Sequence, residues 1–363
     1  MKFFIVVALT SITSYTSGQM VISSSTVVSA ASGTTIITSS SIINNSSGTD
    51  LSNVALTLKG STKNVLNTNS PLDVDQLTVD TDGNYTVGGA WTITTALSLT
   101  KGNLLTARSS SSKLVYTGSD DLNGSEASYV NGPLFIRSSA NQHTFPIGDA
   151  NGYAPVRLNK VEEQDKDTEF GFDAISADPG FTTSDVVTEI YKDRFWQLFN
   201  GNGGTFSGSP ISLSSNLTST SIQESPVILE LDQSIAQKNL GGSVATGFFA
   251  SNDKASSTGK YYAIGKSIDV KLIVHKLITP DNDGKNDVLY IQGIDAYPDN
   301  EVTILDRWGV QFYSKKSFKN YPLSSLPQQA DVDFTKMAIG NYIVVVNLFG
   351  KSESIRQMIS VLK

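Results

Sequence analysis

From residue 21 onward, apolar residues rarely return at the three- and four-residue spacing of a helix face. Short runs of Val, Ile, Leu, Thr and Tyr instead alternate with polar residues and end at Gly, Asn or Asp. The pattern predicts an all-β chain. Between residues 21 and 50, 15 of 30 positions are Ser or Thr, yet the doublets Val27-Val28, Ile36-Ile37 and Ile42-Ile43 punctuate them. Strands with a polar exterior account for such doublets, and a disordered polar linker is the alternative that the composition alone allows. Ile36, Leu56, Leu77 and Leu97 then recur at 20, 21 and 20 residues, and the last three open the phrases LTLKGS, LTVDTDG and LSLTKGN. A unit that cannot bury its own apolar face must stack on its neighbours, which predicts a parallel β-solenoid of about four or five coils over residues 20 to 118. Consecutive antiparallel strands of a sandwich are the rival arrangement.

Past residue 119 the repeat stops and longer strands appear, among them SYVNGPLFIR, YAPVRL, RFWQLF, VILEL, FFAS and YYAIG, joined by Gly- and Ser-rich turns. These suit a β-sandwich. Beyond residue 267, alternating runs at 288–291, 302–305, 310–313, 341–349 and 355–362 predict a compact immunoglobulin-like sandwich. The expected organisation is therefore a leader at 1–18, a solenoid-like region at 19–118, a sandwich at 119–267 and a C-terminal module at 268–363.

The leader rests on MKFFIVVALTSITSYTSG, where Lys2 precedes the apolar run Phe3 to Leu9 and a small polar stretch follows, the layout of a Sec signal peptide. No later run approaches the roughly 18 consecutive apolar residues of a transmembrane helix. Charge narrows the partners. Charged residues make up 17%, the net charge is −7, and Lys and Arg are scattered singly, so the basic footprint of a nucleic-acid binder is missing. The chain has no cysteine and two histidines, His143 and His275. Thiolate chemistry, disulfides and multi-histidine zinc sites are thereby excluded, which leaves carboxylates as the plausible catalytic groups.

Three acidic groups and three tryptophans merit weighing. In LITPDNDGKNDVLY, Asp281, Asp283 and Asp287 could supply hard oxygen ligands to calcium, although the Gly and Glu positions of an EF-hand are not met; a turn in which Asp and Asn bond their own backbone, with Gly284 at positive φ, is the other reading. Calcium is the single cofactor candidate. Glu162, Glu163, Asp165, Asp167 and Glu169 could include a glycosidase pair, but Phe170 and Phe172 alternate with Glu169, Gly171 and Asp173 as in a solvated, half-buried edge strand. Asp73, Asp75, Asp80 and Asp82 on the solenoid lie near only Lys59, Lys63 and Lys101, which reads as turn chemistry rather than a lyase groove. Trp196 is expected to be buried, with Trp91 and Trp308 packed onto turns; His143 reads as a strand-edge residue and His275 as part of a linker. No phosphate loop, nucleophile elbow or metalloprotease helix occurs.

Two stretches resemble known modules. SYVNGPLFIR, HTFPIGDANGYAPVRL, RFWQL and YYAIG together look like a module of large Bacteroidota surface proteins, which implies no activity. From about residue 274 to 363, ITPDNDGKND, AYP, TILDRWGVQFY and GNYIVVV in that order resemble the gliding-motility-associated C-terminal domain, the type B sorting signal of type IX secretion. On the family's pattern fall Thr279, Pro280, Asp283, Gly284, Asn286, Asp287, Tyr297, Pro298, Arg307, Trp308, Gly309, Tyr313, Gly340 and Tyr342. Departures are Asp281-Asn282 in place of Asn-Gly, Asp306 in place of Asn, and no Trp-Asp-Gly in FKNYPLSSLPQQ. The resemblance implies Sec export, passage across the outer membrane, recognition by the secretion machinery, and a cell-surface or extracellular destination. The expected function is a non-catalytic structural or adhesive surface protein, with a carbohydrate-binding or carbohydrate-active protein as the alternative; the surface ligand, glycan or protein, is not indicated.

Overall fold

The computed structural model describes residues 18–24, 26–108, 112–162, 168–183, 187–202, 207–217, 222–232, 237–255, 259–267, 271–297, 300–322, 325, 330–348 and 354–363. Among them the chain is all-β, relieved only by short 3₁₀ turns, and no helix is long and apolar enough to cross a membrane. The chain divides into two compact units, Met1–Phe181 with Ile190–Gly265 and Thr182–Glu189 with Lys266–Lys363.

The first unit opens as a parallel β-solenoid. Strands β1 (Met20–Ile22), β2 (Val27–Ser29), β3 (Thr34–Thr38), β4 (Ile42–Asn44), β5 (Gly48–Leu58), β6 (Asn64–Thr68), β7 (Leu72–Gly88) and β8 (Ala90–Thr106) wind into three parallel ladders. β9 (Lys113–Tyr116), β10 (Val130–Asn131) and β11 (Leu134–Arg137) extend them. The repeat seen in the sequence is the register of one ladder: Ile36 pairs with Leu56, Leu56 with Leu77, and Leu77 with Leu97. Two neighbouring columns run Met20, Ile42, Leu66, Val87 and Leu72, Trp91, Leu114. There are about six turns, more than the repeat alone implies. Leu56, Leu66, Leu77, Val87 and Trp91 are buried, and each buried aliphatic side chain contributes on the order of 1.5–3 kcal/mol. Ser and Thr occupy much of the outside. Where polar groups are buried they are bonded: Asn44 donates to Thr68 Oγ1 and Ser46 O, each at 3.0 Å, and the Tyr85 hydroxyl donates to Lys59 O at 3.0 Å.

The last coil continues directly into antiparallel sheet. β11 pairs parallel with β9 on one side and antiparallel with the Glu169–Ile175 strand on the other, and that strand pairs with Phe195–Asn200. A second sheet joins β12 (His143–Phe145) to Val156–Leu158, Ser209–Ser214, Phe248–Ala255 and Ser243–Ala245. The chain crosses back to the first sheet through β13 (Ile147–Asp149), which lies parallel to β10. Phe145, Phe172, Trp196, Phe249 and Tyr262 are buried in a core that runs unbroken from the solenoid's Ile42 to Ile264.

Several polar positions differ from their sequence reading. Glu169 is not part of a solvated cluster; it is fully buried, held by Arg137 at 2.8 Å and by Lys113. Every residue from Glu169 to Ala174 is buried, so the strand is covered on both faces. Its outer face is closed locally: Phe135 and Phe199 close over Gly171, and Arg108 grips Asp173 through Nε–Oδ2 at 2.6 Å and Nη2–Oδ1 at 3.0 Å. Asp149 and Arg194 form a third pair, bidentate at 2.6 and 2.7 Å, with side chains 1% and 3% exposed.

The second unit has its own core of Ile278, Leu289, Ile291, Val302, Ile304, Phe334, Val344, Val346, Ile359 and their neighbours. A five-stranded sheet runs in the order Leu277–Ile278, Ile355–Val361, Gly340–Leu348, Asn300–Leu305, Gln311–Lys316, antiparallel but for the first pair. A two-stranded pair, Ile273–Val274 with Ile291–Gln292, accompanies it. His275 belongs here rather than to a linker, its ring 5.1 Å from Tyr290.

Candidate functional site

The 279–287 loop of the second unit is closed by its own side chains. Pro280 at its entrance and Val288 at its exit are buried, which anchors both ends. Between them Asn282, Gly284 and Asn286 take positive φ of 68°, 81° and 57°. Gly and Asn tolerate that conformation best. The geometry is imposed by Asp287, 1% exposed, whose carboxylate accepts from Asn282 N at 2.7 Å and from Gly284 N at 2.8 Å. Asp281 accepts from Asp283 N at 3.2 Å and Asp283 from Lys285 N at 2.8 Å, two successive Asx turns. Thr279 closes the base, its N bonding Asn286 O at 2.8 Å and its hydroxyl Lys285 O at 3.2 Å.

One carboxylate oxygen from each of Asp281, Asp283 and Asp287 lies within 4.8 Å of the others, a spacing a divalent cation could bridge. Among the described residues this is the only such group of three. The residues that form the turn are thus also those that would hold calcium, with Asp287 already bonded to two amides.

The second cluster of expected residues surrounds the 306–310 hairpin. Asp306, standing where Asn is usual, does the same work: Oδ1 accepts from Trp308 N at 2.8 Å and Val310 N at 2.9 Å, while its carbonyl accepts from Gly309 N at 3.0 Å. Trp308 is thrown outward, 83% exposed, not packed onto the turn. Its neighbour reaches another part of the motif. A Cβ placed on Gly340 would sit 3.2 Å from Arg307 Nη2, so the absence of a side chain there leaves room for the guanidinium. Tyr342 is buried, donates to Ala338 O at 3.1 Å and meets Phe312 edge-on at 6.3 Å. The motif residues at 279–287 and at 307–309, 340 and 342 therefore form two local structures, one turn around Asp287 and one hairpin with the Gly340–Tyr342 strand start beside it, while Pro298 lies outside the described residues.

Some contributors were not expected. Asn320, within the stretch lacking Trp-Asp-Gly, pairs with Ile291 through both amide groups, at 2.9 and 2.8 Å. Buried Asn300 bonds Tyr297 O and both backbone groups of Phe318. The outward sheet face carries an apolar row, Leu305 opposite Ile343 opposite Met358, beside an open recess of about 410 Å³ that includes Val345, Thr303 and Arg356. The sequence does not show this row, because a sheet face is legible only once the register is known.

Residues 272–361 match the family model described as the CHU_C Type IX secretion signal domain. That match decides the unit's identity. The C-terminal unit is a type IX secretion signal domain. The chain carrying it is therefore cargo sorted for export through type IX secretion. No curated protein and no solved structure matches the chain.

Outside the secretion signal domain, several of the acidic candidates have partners of their own. Asp80 pairs with Lys59, Asp82 with Lys101, and Asp75 accepts from Thr95. Glu162 lies between Lys160 and Lys254; Glu163, Asp165 and Asp167 fall outside the described residues. Trp91 donates to Gly88 O and Trp196 to Ala154 O, each at 3.0 Å, both buried. His143 sits on the edge strand β12 with its ring buried, 6.1 Å from Phe170. The half-buried aromatic pairs do not stack flat, Phe135–Phe199 lying at 49° and Phe195–Tyr261 at 76°.

Proposed function

We propose that the protein is a non-catalytic cell-surface or secreted protein of a Bacteroidota bacterium. A Sec leader at residues 1–18 takes it to the periplasm, and the secretion signal domain then directs it across the outer membrane. The solenoid with its antiparallel extension serves as a structural or adhesive body. The observation that carries this reading is a separate C-terminal core whose buried residues all lie within 272–361, the span that matches a secretion signal. Thr279, Pro280, Asp283, Gly284, Asn286, Asp287, Arg307, Trp308, Gly309, Gly340 and Tyr342 shape the surface that the machinery reads. For the body, a continuous core and paired carboxylates support a scaffold more than a reaction centre.

The test compares the full chain with a chain ending at Gly265 in a host that has type IX secretion. The full chain is expected at the surface or in the medium, degraded by protease added to intact cells, and the truncated one in the periplasm and protected. Equal export of both would refute the assignment of the address. Screening the exported full chain on a glycan array separates the two readings of the body, since specific glycan binding favours the carbohydrate alternative.

A further inference from the structure

The antiparallel sheet that continues the solenoid turns a charged and aromatic face away from the core. Paired residues of neighbouring strands share a face, and the register sets Arg137 opposite Glu169, Phe135 opposite Gly171 opposite Phe199, and Asp173 opposite Gln197 opposite Tyr261. The alternate residues Ile136, Phe170, Phe172, Trp196, Leu198 and Tyr262 are buried in the core, so the first set faces outward. Glu169 and Asp173 lie fully buried beneath cations: Lys113 and Arg137 hold the one and Arg108 the other, with cation side chains 31%, 43% and 47% exposed. Three cations over two carboxylates leave one positive charge in excess, in a chain whose net charge is −7.

The carboxylates fix the guanidiniums without using them up. A guanidinium has five N–H donors in a planar fork. Arg137 gives two bonds, both to Glu169 Oε2, and Arg108 three, two to Asp173 and one to Ala174 O, so each keeps donors for a ligand. Glu169 and Asp173 are four residues apart on one strand, which spaces the two anchor points by about 13 Å. Between them stand the half-buried rings of Phe135 and Phe199, 6.0 Å apart, with Lys113 Nζ 4.8 Å from the centre of the Phe135 ring. Such a face selects an anion. Duplex DNA carries a negative charge about every 1.7 Å and is gripped by a basic stripe, which two spaced guanidiniums and one lysine do not form. The rings are tilted at 49°, so they give no flat platform on which a neutral sugar could be held by stacking alone. The partner that fits has sparse anions separated by apolar C–H faces, which is the chemistry of an acidic polysaccharide: carboxylates or sulfates meet the guanidiniums, and sugar rings lie against the phenylalanines.

We propose that the outer face of this sheet binds an acidic polysaccharide, Arg108, Arg137 and Lys113 holding its anionic groups with Phe135 and Phe199 between them. The inference rests on the non-catalytic reading of the body, to which it adds a binding face, and it is independent of the export address in the last unit.

The purified chain from Gln19 to Lys363 is titrated calorimetrically with polygalacturonate and with chondroitin sulfate, beside neutral dextran and a DNA duplex of arbitrary sequence. At least one acidic polysaccharide is expected to bind, more weakly as salt rises, and dextran not to bind. Lys113→Gln leaves Glu169 on Arg137, and Arg137→Lys keeps the charge but loses the fork; each is expected to weaken binding by about threefold to tenfold in a chain that still unfolds cooperatively in urea. Lys254→Gln, which removes a cation of the other sheet, is expected to leave binding unchanged. Absence of binding to both acidic polysaccharides overturns the proposal, as does dextran or DNA bound equally tightly. So does binding that neither Lys113→Gln nor Arg137→Lys alters, because its contact lies elsewhere. Any of these failures leaves the export address standing, since no secretion step enters the measurement.

Discussion

Replacing Asp287 by alanine tests whether the 279–287 loop is shaped by one buried carboxylate. The side chain is 1% exposed and accepts from two amides, at 2.7 and 2.8 Å. Hydrogen bonds to a charged acceptor contribute about 1.5–3 kcal/mol each, and two donors lose their partner together, so about 3–5 kcal/mol of the domain's stability should be lost. Two controls isolate the cause. Asp281→Ala removes one bond of 3.2 Å at an exposed position and should cost about 0.5–1 kcal/mol. Gly284→Ala meets nothing within 4 Å, so its cost of about 1 kcal/mol arises from the φ of +81° alone. Urea titration of residues 266–363 made as a separate chain, with and without calcium, gives the three differences. The reasoning is refuted if Asp287→Ala stays within about 1 kcal/mol of the wild type, or if Asp281→Ala is as costly. A calcium-dependent midpoint that Asp281→Ala abolishes would make the loop an ion site rather than a hydrogen-bonded turn.

Arg194→Met should cost about 3–5 kcal/mol by leaving Asp149 buried without its cation, and Asp149→Leu in the same chain should restore much of that. Burial alone would raise the Asp149 carboxyl, but the bidentate bonds and charge of Arg194 hold it below the ordinary value. This contribution is therefore full above the unfolded carboxylate pKa of about 4 and is lost as pH falls through the lower native value. The cost of Arg194→Met, measured by urea midpoints, should accordingly shrink on going from neutral pH to below that range. In the solenoid, Leu77→Ala should cost about 2–5 kcal/mol and Ile36→Ala, at the half-buried end of the same column, distinctly less. Trp308→Ala should leave the unfolding midpoint within about 0.5 kcal/mol, since the ring is 83% exposed, while lowering the exported fraction seen on immunoblots of cells and medium.

How much of this was legible depends on how local the determinant is. The column Ile36, Leu56, Leu77, Leu97 could be read from spacing because consecutive coils there are of nearly constant length. Further along, Leu104 pairs with Val130, 26 residues on, and the repeat disappears from the sequence although the ladder continues, which is why fewer coils were expected than are found. Glu169 and Asp173 looked solvated because their cations lie far away in the chain: Arg137 is 32 residues from Glu169 and Arg108 is 65 from Asp173. The turn at Asp287 was readable since the carboxylate bonds that shape it span five residues or fewer. Trp308 was misjudged because the bonds that set the hairpin come from Asp306 and leave the ring no surface to pack on. The outward row Leu305, Ile343, Met358 depends on strand pairings 38 and 15 residues apart in the chain, which no local pattern records.

The central claim is that the C-terminal unit is a sufficient address. Residues 266–363 fused behind a periplasmic reporter, in a host with type IX secretion, should bring the reporter to the cell surface or medium, where protease added to intact cells removes it, and the same fusion should remain periplasmic when the secretion machinery is deleted. A reporter that stays periplasmic in the intact host, with the fusion folded and stable, would contradict the account.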